Sequence, residues 1–101
     1  MSDFKAVVAG ERAIALSGEV DMSNADQFRK VLFDYLPESG ELVIDLSALG
    51  YIDSSALHAL IEVAKAAASR DARLVLSAPT HPVRRLFDLV AIDDVPGIVR
   101  R

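Results

Sequence analysis

An aspartate and two adjacent serines, Asp53-Ser54-Ser55, form the stretch of this sequence where side chains capable of chemistry gather. They stand between an apolar strand candidate, Leu42-Val43-Ile44-Asp45-Leu46, and the most regular apolar helix pattern, Leu57 to Ala68. A strand that hands over to a helix places these hydroxyls at a helix N-terminus. Free backbone N–H groups and the helix dipole favour negative charge there. One reading is structural: Asp53 or Ser54 caps the helix, as such residues commonly do. The other makes Ser54 a phosphoacceptor in a docking surface. A cap needs only one oxygen, yet three polar side chains stand in a row, held at a surface lip by the apolar Tyr51-Ile52 and Leu57. Local chemistry alone leaves both readings open.

Catalysis fits these residues poorly. His58 lies four positions after Ser54, but the positions flanking the serine are Ile52 and Ala56, whereas a nucleophile elbow wants Gly-x-Ser-x-Gly beside an oxyanion hole. No base held by a second orienting group is evident. His58 and His81 fall on different helices, and Asp93-Asp94 lacks the ligand spacing of a calcium loop. There is no Walker-type phosphate loop. The absence of cysteine excludes thiolate chemistry and a disulfide framework. The expectation is a protein that is not an enzyme and needs neither metal nor cofactor.

Composition narrows the partners. The net charge is −4 with 11 Lys and Arg, and the pI is about 5.0. A nucleic-acid binder would show a basic patch, and the adjacent basic residues are only the scattered pairs Arg29-Lys30, Arg84-Arg85 and Arg100-Arg101. Direct nucleic-acid binding is not expected. The N-terminal Met1-Ser2-Asp3-Phe4-Lys5 has no basic n-region and no apolar h-region. No apolar run approaches the ~18 residues of a membrane span, so a cytoplasmic location without membrane insertion is expected. The 101 residues predict one domain, 1–101, large enough to bury roughly 65% of its unfolded surface.

The elements that must position Ser54 are legible as patterns. Residues 4–8 and 13–17 read as strands around the turn Ala9-Gly10-Glu11-Arg12, with Gly10 available for a positive φ. Gly18 ends the second strand, and Glu19-Val20-Asp21-Met22 reads as a loop. Ser23 is the candidate N-cap of a helix whose apolar face is Phe28, Val31, Leu32, Tyr35 and Leu36, stopped by Pro37 and Gly40. Residues 41–46 form a strand covered on both faces. After the helix 57–68 come a strand at 73–77, a Thr80-capped helix with Pro82 in its first turn, and a short edge strand at 98–101. The order β-β-α-β-α-β-α predicts an α/β fold with a mixed sheet of four or five strands, packed by three or more helices.

Four stretches in this order carry a resemblance to a known family: Gly18-Glu19-Val20-Asp21, Asp45-Leu46-Ser47, Tyr51-Ile52-Asp53-Ser54-Ser55-Ala56-Leu57 and Pro82-Val83-Arg84-Arg85-Leu86-Phe87. Together they resemble a STAS domain over nearly the whole chain. More narrowly, they resemble the bacterial anti-sigma factor antagonists, or anti-anti-sigma factors. The resemblance implies the STAS fold and a partner-switching role in transcription regulation and signal transduction. In that family the first serine after the aspartate is phosphorylated by a partner serine kinase of the histidine-kinase-like ATPase fold. That kinase is often the anti-sigma factor itself, and a PP2C-type phosphatase reverses the modification. The matching position is Ser54, and the unphosphorylated form is the one expected to bind.

The same resemblance implies partner-binding roles for Asp21, Met22 and Ser23, and for Asp53, Ser55, Ala56, Leu57 and His58 around the phosphoacceptor. The family usually has glycine at the position of Ala56 and often at that of His58. Ala and His would narrow the approach of a partner backbone, which implies a partner different from that of well-known members. Two other STAS roles are an accessory subunit of a lipid-transport ABC system and a component of a larger stress-sensing or biofilm-signalling complex. ABC accessory subunits tend to carry Thr and Gly after the aspartate, so Ser54-Ser55 favours the regulatory branch.

Overall fold

The period-two segments at the N-terminus form β1 (Phe4–Gly10) and β2 (Ala13–Val20), an antiparallel hairpin. The computed structural model describes residues 2–101. Then follow α1 (Ala25–Tyr35), β3 (Gly40–Ile52), α2 (Ser54–Ala68), β4 (Ala72–Ser77), α3 (His81–Leu89), a 3-10 turn at Ile92–Asp94, and β5 (Ile98–Arg100). The strands form one mixed sheet in the order β1-β2-β3-β4-β5, parallel at every step after the hairpin. This is the α/β arrangement the pattern of elements predicts, with a fifth strand at the far edge.

Two strands run further than alternation alone indicates. β2 does not stop at Gly18. That residue takes φ +92 and the chain stays in the sheet to Val20, with the Glu19 N–H donating to the Asp3 carbonyl at 2.9 Å. β3 continues six residues past Leu46, to Ile52. Its buried residues there are Leu46, Leu49 and Ile52, a spacing of three that hides the strand from a period-two reading. The register explains it. Ala15 pairs with Asp45 but Ser17 with Ala48, and Gly18 pairs with Leu49 but Glu19 with Tyr51. Each shift inserts one extra residue on β3, and each re-aims the next apolar side chain inward.

The hairpin turn also differs from expectation. Gly10 has no positive φ; the positive-φ glycines are Gly18, Gly40 and Gly97. The reversal is made by a register shift between Val8 and Gly10, followed by the two-residue link Glu11-Arg12.

The helices pack by their i, i+4 faces. α1 buries Ala25, Phe28 and Leu32, and Leu36 just beyond its end is buried too. Tyr35, one position off that line, is exposed. The ring of Phe28 meets Phe4 of β1 edge-on at 5.9 Å, fastening the hairpin to the helix. α2 buries Ala56, Leu57, Ala59, Leu60, Val63, Ala64 and Ala67, and its small residues let it lie close to the sheet and to α1. The Thr80 side chain does not cap α3. Its hydroxyl donates to the Leu49 carbonyl at 2.8 Å, fixing the start of α3 against the end of β3.

Candidate functional site

β2 and β3 end together, with Val20 paired to Ile52. The segments that leave them, 21–24 and 53–55, therefore emerge side by side at the carboxyl end of parallel strands, where ligand and partner surfaces of open sheets commonly form. The Asp53 N–H donates to the Val20 carbonyl at 3.2 Å. Its side chain then joins the two segments. One carboxylate oxygen accepts from the Ala56 N–H at 3.0 Å, capping α2, and the other accepts from the Met22 N–H at 3.1 Å. Asp53 is thus a structural clamp with both oxygens occupied. α2 begins at Ser54, three residues before Leu57, because that cap lets it.

The 21–24 loop is held by a second set of bonds. Asp21 accepts from the Ser23 N–H at 2.9 Å, from the Ser23 hydroxyl at 2.6 Å and from the Ser2 hydroxyl at 2.5 Å. The hydroxyls of Ser2 and Ser23 hold the Asp21 carboxyl below its ordinary value of 3.8. Ser23 is consequently not the N-cap of α1. That position belongs to Asn24, and its side chain does not cap either. Asn24, only 5% exposed, accepts from the Asp21 N–H at 2.9 Å and donates to the carbonyls of Ser2 at 2.9 Å and Glu19 at 3.1 Å. This buried asparagine organises the loop. Its sequence signal was the Asp21-x-Ser23-Asn24 run itself, a composition that forms side-chain-to-backbone turns.

The structure divides the expected site residues into two groups. Met22, 82% exposed, lies on the surface with Ser23, Ser54 and His58, while Asp21, Asp53 and Ser55 are half-buried beside them. Ala56 and Leu57 are not on this surface. Ala56 is 0% exposed and both sit in the hydrophobic core, so Ala56 cannot narrow the approach of a partner. The reason is helical phase. Ser54 and His58, four apart, share the outer face, and the two residues between the half-buried Ser55 and His58 turn inward. The Ser54 hydroxyl makes no hydrogen bond to another group among the described residues, although its neighbour Asp53 is fully engaged.

Ser54 stands on a ridge between two hollows. On one side a groove of about 540 Å³ between α1 and α2 is lined by Met22, Asp26, Arg29, Ser55, His58 and Glu62. Arg29 donates to Glu62 at 3.0 Å and lies 3.7 Å from Asp26. The Glu62 hydrogen bond raises the guanidinium pKa further. On the other side a depression of about 370 Å³ is lined by Tyr51, Pro82, Arg85, Leu86 and Leu89. Tyr51 is 47% exposed and Leu89 75%. With Met22, they put large apolar groups on both sides of the serine, a pattern suited to a partner. Arg29 and Leu89 carried no signal near Ser54 in the sequence, since only the fold brings them there, whereas Glu62 follows Ser54 and His58 at successive i+4 steps along α2.

Among the described residues no three His, Cys, Asp or Glu side chains assemble as metal ligands. No helix there is long and apolar enough to cross a membrane.

Comparison with known proteins bears on the family and the fold. The STAS domain family profile matches residues 5–100. The anti-sigma-B factor antagonist of Listeria monocytogenes is 29% identical over 83 residues, which cover 81% of this chain and 73% of that protein. An anti-sigma factor antagonist from Mycobacterium paratuberculosis is similar in structure with a TM-score of 0.74 at 21% identity, over 95% of this chain and 85% of its own. The anti-sigma factor antagonist SpoIIAA in its unphosphorylated form gives 0.72 at 16% identity, over 98% and 88% of the two chains. SpoIIAA of Bacillus in its phosphorylated form gives 0.57 at 16% identity, over 98% and 91%. These structural likenesses speak to the fold. With a profile match running from β1 to β5, the chain belongs to the STAS domain family.

Proposed function

We propose that this chain is an anti-sigma factor antagonist that binds its anti-sigma factor while Ser54 is unmodified and releases it when Ser54 is phosphorylated. The observation that carries the reading is the contrast between neighbours. Asp53 has both oxygens committed to holding the site, while Ser54 stands exposed on the ridge with its hydroxyl free among the described residues. The names of the similar proteins support the antagonist role. That SpoIIAA, of the same fold, exists in a phosphorylated form supports the modification. The family resemblance supplies the partners: an anti-sigma factor of the histidine-kinase-like ATPase fold acting as serine kinase, and a PP2C-type phosphatase that resets the site. The reading asks no catalysis of this chain.

Electrostatics explain why the switch would act at the interface. A phosphate adds about −1.5 to −2 charges. At the first residue of α2 that charge faces free N–H groups and the positive end of the helix dipole, so the fold tolerates it. A partner surface fitted to a neutral serine does not. Like-charge juxtaposition at an interface costs several kcal/mol, and ~3 kcal/mol is about a hundredfold in affinity. Incubation with the cognate anti-sigma factor and ATP, followed by mapping of the modified residue by mass spectrometry, tests the assignment. Label is expected on Ser54, absent from Ser54→Ala and retained in Ser55→Ala. Label on any other residue overturns it.

A further inference from the structure

The depression on the α3 side of Ser54 contains a cation that no carboxylate uses. Arg85 lines it together with Ser54, is exposed, and joins no ion pair among the described residues. Arg29, Lys30, Arg73, Arg100 and Arg101 all do. Lys5, Arg12, Lys65, Arg70 and Arg84 join none among the described residues either, but none of them lines a hollow beside Ser54. Asp53, the carboxylate of the same depression, has its oxygens turned to the N–H groups of Ala56 and Met22. The walls are Tyr51, Leu86 and Leu89, which offer no carboxylate to compete for the guanidinium. The groove on the other side suits an oxyanion less well. Its Arg29 is held by Glu62 and Asp26, whose carboxylates would face any phosphate placed there and leave His58 as the opposing group.

We propose that Arg85 is the intramolecular receptor for a phosphate on Ser54. The modified side chain turns towards α3, and the guanidinium fork closes on two phosphate oxygens, bridging the first residue of α2 to α3. This rests on Ser54 being the modified residue, as argued above. In the phosphorylated form Arg85 leaves solvent and covers Tyr51 and Leu89. The partner then meets both a new charge and a closed apolar depression, without any change of fold.

The test uses phosphoserine installed at position 54 during translation, which needs no kinase, and a ³¹P NMR pH titration. The second phosphate ionisation of a free phosphoserine peptide lies near about 6. In the folded protein it is expected lower by about half a unit or more, because a nearby cation favours the dianion. Arg85→Gln should return most of that shift and Arg85→Lys should recover part of it, whereas His58→Gln and Arg29→Gln should leave it in place. Any contribution of the α2 dipole is common to all four variants, so differences isolate the side chains. Arg85 is exposed, and its replacement is expected to keep the fold, as the amide spectrum would verify. The proposal is overturned by an Arg85→Gln titration that matches the unsubstituted phosphoprotein. It is equally overturned if the shift disappears in His58→Gln or Arg29→Gln, which would put the phosphate in the α1–α2 groove. A kinase that fails to label Ser54 removes the switch and leaves this pairing measurable. A titration insensitive to Arg85 removes the pairing and leaves the switch intact.

Discussion

Asp53 has two structural duties, and substitution separates them. In Asp53→Asn the amide oxygen can still accept from the Ala56 N–H, but the amide nitrogen meets the Met22 N–H donor to donor. Asn caps helices about as well as Asp, so the stability loss should stay below about 1 kcal/mol. The Met22 amide should nonetheless exchange faster. Asp53→Ala removes both bonds and should cost about 1–3 kcal/mol in urea unfolding. A neutral Asp53→Ala would show that the carboxylate clamps nothing. Asp21 gives a pH signature. Hydrogen bonds from Ser2 and Ser23 depress its folded-state pKa below 3.8. The stabilisation is therefore complete above that value and fades as the pH falls through the folded pKa. Asp21→Asn should flatten the acid limb of stability against pH, and an unchanged limb would contradict the assignment. Both aspartates are visible in the sequence, but their bonds are not. The family resemblance implied partner contact for each, and residue type a helix cap for Asp53; the fold puts the oxygens of both to work internally.

At the scale of elements, the 21–24 loop is tied together by the buried side chain of Asn24. Asn24→Ala would leave the Asp21 N–H and two carbonyls without their partner. The expected loss is about 2–3 kcal/mol, measured by chemical denaturation, together with disorder at Met22. An Asn24→Ala protein of full stability would mean that the loop is held by its ends alone. The sequence makes α1, α2 and α3 legible through their i, i+4 apolar faces, and β4 through its run of buried residues. It hides the ends of β2 and β3. Leu46, Leu49 and Ile52 reach the core through two register shifts, and a shift is a property of strand pairing that one strand's pattern does not display. The helix start at Ser54 is legible once Asp53 is accepted as its cap. The burial of Ala56 then follows from helical phase.

Over the whole molecule the same ends of β2 and β3 that escape a pattern reading are what bring Met22, Asp53 and Ser54 together. The order of elements and the four family-like stretches give the fold and point to Ser54. The two hollows flanking it depend on packing between α1 and α2, and between α3 and β3, which sequence spacing does not encode. A phosphate on Ser54 should change amide shifts at 20–24, 51–59 and 82–89 only, with the sheet unmoved. Shifts spread through β1, β4 and β5 would indicate refolding and contradict a surface switch. The central claim is tested most directly by calorimetric titration of the anti-sigma factor with the unmodified protein, Ser54→Ala and the Ser54-phosphorylated form. The account predicts similar affinity for the first two and a loss of about a hundredfold for the third. Equal affinity for all three would contradict it.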